Sequence, residues 1–165
     1  VAERAVHHCN RAAFRFAAHS CALHDASYLQ CLELAGAEKD VSQCLGLLAS
    51  PCVREPRAVA AASLLRGQKS VTCAMYAHTS LQWPTMSASV GPITIIYRPR
   101  GCSAEAQQQV WLLVHPSSAA ALGHALQVVS SAASGKLRIR HLQHEFNVFE
   151  LIGPSASHVA QQALH

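Results

Sequence analysis

Aromatic residues make up only 5% of the chain and charged residues only 13%. With so few rings, a core built on stacked aromatics is excluded, and alanine must supply much of the apolar packing. With 50% hydrophobic residues and so little charge, a disordered chain is excluded as well. No apolar run approaches the roughly 20 residues that a membrane-spanning helix requires, so no membrane partner is expected. No signal-peptide pattern opens the sequence. The carboxylates are few and scattered: Glu3, Asp25, Glu33, Glu38, Asp40, Glu55, Glu105, Glu145 and Glu150. No pair among them suggests general acid–base work. The glycines do not cluster into a phosphate-cradling loop. No H-E-x-x-H, G-x-S-x-G or C-x-x-C element is present. Neither a catalytic residue, a metal nor a cofactor is therefore expected.

The 165 residues suffice for one good-sized domain or two small halves sharing a core. Thirteen Lys and Arg against nine Asp and Glu leave a formal net charge of +4, with eleven histidines besides. That mild basicity suits an acidic partner. Seven cysteines stand at positions 9, 21, 31, 44, 52, 73 and 102. Their odd number, apolar neighbours and spacing speak against zinc-ribbon ligation and for buried free thiols in a reducing compartment.

Periodicity predicts a helix over residues 3–20, with Ala5, Val6, Cys9, Ala12, Ala13, Phe16 and Ala17 toward a core. Arg4, His8, Arg11, Arg15 and His19 form the opposite stripe. Residues 25–27 read as a turn, 28–34 as a strand ended by Gly36, and 38–49 as a helix buried through Val41, Cys44, Leu45 and Leu48. Residues 50–57 read as a loop. Residues 59–65 and 70–77 read as strands joined by a turn at 66–69. A loop over 78–90 precedes a strand over 93–97, opened by Gly91-Pro92, and 98–107 reads as a loop. Residues 110–114 read as a strand. Pro116 bars His115 from helical angles, and Ser117 is a candidate N-cap for a helix to about residue 133. Residues 136–142 alternate, with Lys136, Arg138 and Arg140 on one face. Residues 145–152 read as a strand, stopped by Gly153-Pro154 before a last helix. The order predicts an α+β fold with two βαβ-like halves, 1–100 and 101–165. Its sheet is mixed or antiparallel, with helices on one face.

His115 stands where a strand ends and a helix starts, a position that serves a ligand or a base, but no partner is spaced to join it. Its expected role is local, pinning that joint. The pairs His7-His8-Cys9 and His19-Ser20-Cys21 suggest a metal, but helical neighbours point about 100° apart and cannot share one ion. The basic residues are better organised: Arg4, Arg11 and Arg15 on a helix stripe, Lys136, Arg138 and Arg140 on a strand face, and Arg98 and Arg100 around Pro99. Such rows suit phosphate backbones.

Four segments, in order, carry a family resemblance: RAAFRFAAHSCALHDASYLQCLELAG at 11–36, VGPITIIYRP at 90–99, VWLLVHPSS at 110–118 and FNVFELIGP at 146–154. They resemble, respectively, an arginine-containing helix with D-x-S-Y and C-L-E-L-x-G, a G-P-[IV]-T strand, a W-x-W-x-H-P signature and an R-F-E-L-R-G-P signature. The family is the largest protein subunit of eukaryotic ribonuclease P and ribonuclease MRP, the processing-of-precursors protein. The sequence departs from its pattern at Leu113, Val148 and Ile152, where the family has tryptophan, arginine and arginine. The family's basic N-terminal segment and long C-terminal part are not in this sequence, so the resemblance implies a central domain of a larger subunit.

The resemblance implies a fold like that of the aminomethyltransferase (glycine-cleavage T-protein) group. It further implies a non-catalytic, RNA-binding scaffold in a nuclear or nucleolar ribonucleoprotein. The RNA subunit would cut, maturing precursor tRNA 5′ ends or cleaving precursor rRNA, and the other protein subunits would be neighbours. Arg11 and Arg15 fall on the family's arginine positions and are the first candidates for phosphate contact. Arg4, Arg66, Lys69, Arg98, Arg100, Lys136, Arg138 and Arg140 follow. Trp111, His115, Pro116, Phe149, Glu150, Gly153 and Pro154 are read as structural. Trp111 and Phe149 are expected in the core, on neighbouring strands. Two rivals are a folate-type small-molecule enzyme of the aminomethyltransferase fold and a protein-interaction module.

Overall fold

The computed structural model describes residues 9–49, 61–77, 89–99, 107–132, 137–142 and 145–164. The elements run α1 (Asn10–His19), β1 (Ala22–Asp25), β2 (Gln30–Gly36), α2 (Glu38–Ala49), α3 (Ala62–Leu65), β3 (Ser70–Tyr76), β4 (Ser89–Tyr97), β5 (Gln108–Val114), α4 (Pro116–Ala132), β6 (Arg138–His141), β7 (Phe149–Ile152) and α5 (Ala156–Ala163). They fall into two units. One is Leu29–Glu145, and the other joins Val1–Tyr28 to Phe146–His165. The division does not fall at residue 100, because β4 and β5, on either side of it, are hydrogen-bonded neighbours in one sheet.

The larger unit holds a five-stranded sheet in the order β3-β4-β5-β2-β6, with every pairing antiparallel. The α+β class with an antiparallel sheet is as expected. Among the described residues, only one of the two expected βαβ-like halves is present. Strands β5 and β6 run parallel around α4, with β2 inserted between them, whereas β2 and β3 run in opposite directions. Alternation along the strands sends Leu32, Leu34, Ile93, Ile95, Tyr97, Val110, Leu112 and Val114 to one face. There they meet Val41, Cys44, Leu45 and Leu48 of α2 and Ala119, Leu122, Ala125, Leu126 and Val129 of α4, all buried in one cluster. The 3.6-residue spacing of both helix stripes lets each face the sheet. Burial of each leucine stabilises this layer by about 1.5–3 kcal/mol.

Several expectations are corrected. Residues 62–65 are helical rather than part of a strand, with Leu65 N–H bonded to Ala61 O at 3.0 Å and Arg66 N–H to Ala62 O at 3.2 Å. The run Ala60-Ala61-Ala62-Ser63-Leu64-Leu65 has no β-branched residue, so the helical propensity of alanine and leucine decides it. Strand β3 consequently pairs with β4 rather than with an upstream partner. Strand β4 begins at Ser89, so Gly91-Pro92 lies inside it. Residues 22–25 form a strand that the sequence did not suggest, and Tyr28 belongs to the turn after it. Helix α1 spans Asn10–His19, with Cys9 before it extended at φ −127° and ψ 138°, and residues 3–8 of the expected helix lie outside the described residues. The loop at 50–57 and most of the one at 78–90 lie outside the described residues.

The smaller unit pairs β1 with β7 antiparallel and carries α1 and α5. Neither helix buries a residue. Gly153 joins β7 to α5 at φ +134°, and a Cβ there would stand 2.5 Å from Ser20 O and 3.0 Å from Ala17 O. Ser155 N–H also donates to Ser20 O at 3.0 Å, which ties this turn to the end of α1.

Among the described cysteines, Cys31 and Cys44 are buried, and all five are free thiols. Burial pushes both buried thiols from 9.0 up to about 12. Their folded-state pKa is therefore above the unfolded one. The stability they contribute is complete below pH 9 and falls as pH rises toward 12, because the unfolded chain releases its protons first. Each thiol is expected to lower unfolding free energy by about 1.4 kcal/mol per pH unit in that window. Urea midpoints at pH 8 and pH 10 check this. A Cys44→Ala variant with an unchanged pH slope would contradict it.

Candidate nucleic-acid interface

The sheet of the larger unit has a second face, opposite the one that receives α2 and α4. The strand registers place Ile96, Trp111, Glu33 and Arg140 directly opposite one another in a single row across β4, β5, β2 and β6. Residues paired across antiparallel strands share a face, so this row is one surface. An adjoining row holds Gln109, Ala35 and Arg138. Arg98 follows β4 and joins this row, its N–H donating to Gln109 O at 2.9 Å. A third row holds Thr72, Thr94, Leu113 and Cys31, with a 2.9 Å bond between the two threonine hydroxyls.

The guanidinium of Arg98 lies 5.5 Å from the Trp111 ring centroid, within cation–π range. Its Nη1 also donates to Gln109 Oε1 at 2.8 Å. The Gln108 amide, buried, donates to Arg98 O at 3.2 Å and fixes the backbone from which Arg98 departs. On the far side Arg138 Nη2 and Arg140 Nη1 each lie 3.6 Å from Glu33 Oε1, and Arg140 Nη2 lies 3.3 Å from Glu145 Oε1. Glu33 is buried, and its Oε1 accepts no hydrogen bond among the described residues. It acts as a counter-charge that holds two exposed arginines upright. Three strand spacings separate Arg98 from the β6 arginines, about 14 Å. The face therefore presents a guanidinium on an aromatic ring at one side and two guanidinium groups at the other.

Of the expected phosphate ligands, Arg98, Arg138 and Arg140 share this face. Arg4, Arg100 and Lys136 lie outside the described residues. Arg11 and Arg15 are exposed on α1, in the smaller unit. Arg66 and Lys69 are exposed in the turn after α3, and Arg66 lines an open pocket of about 390 Å³ with Glu38, Ala62, Leu65 and Pro99. Arg11, Arg15, Arg66 and Lys69 make no ion pair among the described residues.

The residues read as structural divide. His115 precedes α4, and its Nδ1 lies 2.8 Å from Ser117 Oγ and accepts the Ser117 N–H at 3.3 Å. The capping residue is thus His115 and not Ser117, because Pro116 already occupies the first helical position, where its missing donor costs nothing. Trp111 is half-buried, on the face away from the helices. Phe149 is not a core residue. It is 57% exposed on β7, which pairs with β1 in a separate sheet and is no neighbour of β5. Glu150 accepts from or pairs with His24 at 3.1 Å. Gly153 and Pro154 form the turn before α5, where Ala156 N–H reaches Gly153 O at 3.1 Å.

Glu33 and Gln109 were not singled out from the sequence, although the alternation Cys31, Glu33, Ala35 against Leu32, Leu34 places Glu33 away from the core. Among the described residues no group of three His, Cys, Asp or Glu is placed to hold a metal ion, and no helix is long and apolar enough to cross a membrane. No protein-family model matches the chain, and no curated protein is significantly similar to it.

Proposed function

We propose that the chain is an RNA-binding scaffold subunit of a ribonuclease P or MRP ribonucleoprotein, supporting precursor tRNA 5′-end maturation and precursor rRNA cleavage. The observation that carries this reading is the sheet face on which Arg98, Trp111, Arg138 and Arg140 stand together. The four family-like segments, in order, support it from the sequence side. The aminomethyltransferase-like fold belongs to the same proposal. The arginines contact phosphates and set orientation, and sequence is not read through them. The RNA performs the chemistry, other protein subunits sit alongside, and the complex is nuclear or nucleolar. Val148 and Ile152, apolar where the family has arginine, remove β7 from the RNA surface.

Ribonuclease treatment of native extract tests the reading. The tagged parent protein is expected to sediment as a large particle and to shift to a slower one after digestion. One specific observation favours a protein-interaction module instead. Of the twelve large apolar side chains exposed among the described residues, ten belong to the smaller unit, Phe149 and Ile152 among them. A particle unaffected by ribonuclease would favour that second reading.

A further inference from the structure

Helix α1 carries two arginines and an aromatic ring on one flank. Arg11 and Arg15 are one turn apart, about 6 Å along the axis, and Phe14 lies about 60° around the helix from Arg11. Phe14 is 74% exposed. It is the barest of the four phenylalanines, the other three being 37–57% exposed, and it stands beside two cations.

Charge decides which partner it suits. The helix holds no carboxylate, and neither arginine has an ion pair among the described residues. The two acids in the described part of this unit are already engaged. Asp25 accepts the Ser27 N–H at 3.0 Å, and Glu150 pairs with His24 at 3.1 Å. Among the described residues of its own unit, no carboxylate pairs with the positive flank.

We infer that Phe14 is a stacking platform for an unpaired nucleobase of single-stranded RNA, with Arg11 and Arg15 on the flanking phosphates. This rests on the RNA-binding reading and adds the class of RNA and the residue that selects it. A duplex hides its base faces and offers a ring nothing to stack on, whereas an unpaired base exposes a π-face that any aromatic accepts. Trp111 does not compete for this role, since Arg98 already lies against its ring and the side chain is half-buried.

The test is fluorescence anisotropy of the full chain with labelled oligoadenylate, with its duplex, and with labelled polyglutamate. The unmodified chain is expected to prefer the single strand. Phe14→Ala should weaken single-strand binding about tenfold and leave the salt slope unchanged, because no charge is removed. Phe14→Trp should restore it. Arg11→Ala with Arg15→Ala should instead flatten the single-strand slope by about 1.4, at roughly 0.7 per phosphate. Equal affinity for duplex and single strand, or Phe14→Ala binding unchanged, overturns the stacking role while leaving RNA binding intact. No RNA binding, or binding of polyglutamate alone, overturns both readings. Phe14 is exposed, so circular dichroism should show every variant folded.

Discussion

Replacing Arg98, Arg138 and Arg140 together with alanine is expected to lower RNA affinity about a hundredfold at low salt and to flatten the salt slope by about 2. The three guanidinium groups come from the residue after β4 and from β6, strands that are not neighbours, and only the sheet order brings them to one face. Two of them are held against a buried carboxylate, so they are pre-oriented and lose little side-chain freedom on binding. Removing both cations beside Glu33 strands that carboxylate, which by itself lowers stability. A second variant that also carries Glu33→Gln relieves this and should bind equally weakly. Glu33→Gln alone should do the opposite. It removes the counter-charge of Arg138 and one of the two beside Arg140, raises affinity several-fold and steepens the slope. An unchanged slope in the triple variant would mean that the sheet face is not where phosphates bind.

Gly153→Ala is expected to undo the smaller unit and spare the larger one. Its φ of +134° disfavours any side chain, and the added Cβ would stand 2.5 Å from a backbone oxygen that has no rotamer to move. The combined strain is about 3 kcal/mol. A unit with a two-stranded sheet has little to set against that, because such a sheet is at best marginal alone. Hydrogen exchange should quicken at Ala22–Asp25 and Phe149–Ile152, while β4 and β5 amides stay protected. Uniform loss of protection in both units would show that they do not unfold separately.

The sequence showed α2 and the central strands because their burial follows a clean period. Helix α2 buries Val41, Cys44, Leu45 and Leu48, the stripe that helical spacing predicts. It hid α3, because a short run rich in alanine and leucine fits either period, and β1, because Ala22–Asp25 contains one large apolar residue and ends in turn formers. Phe149 misled for a physical reason. FELI reads as a buried strand, but among the described residues β7 pairs only with β1, and the two strands and two short helices described in this unit leave it exposed. The site was legible as residue types and not as an assembly. Arg98, Arg138 and Arg140 stood out as basic residues, but Trp111 reaches Arg98 only through the pairing of β4 with β5, and Glu33 reaches the β6 arginines only through the insertion of β2 between β5 and β6, registers that no local pattern encodes.

The most direct measurement is a native pull-down of the tagged parent protein with sequencing of the RNA that accompanies it. Strong enrichment of a ribonuclease P-type or MRP-type RNA is expected. No enriched RNA, with the protein well recovered, would contradict the scaffold role.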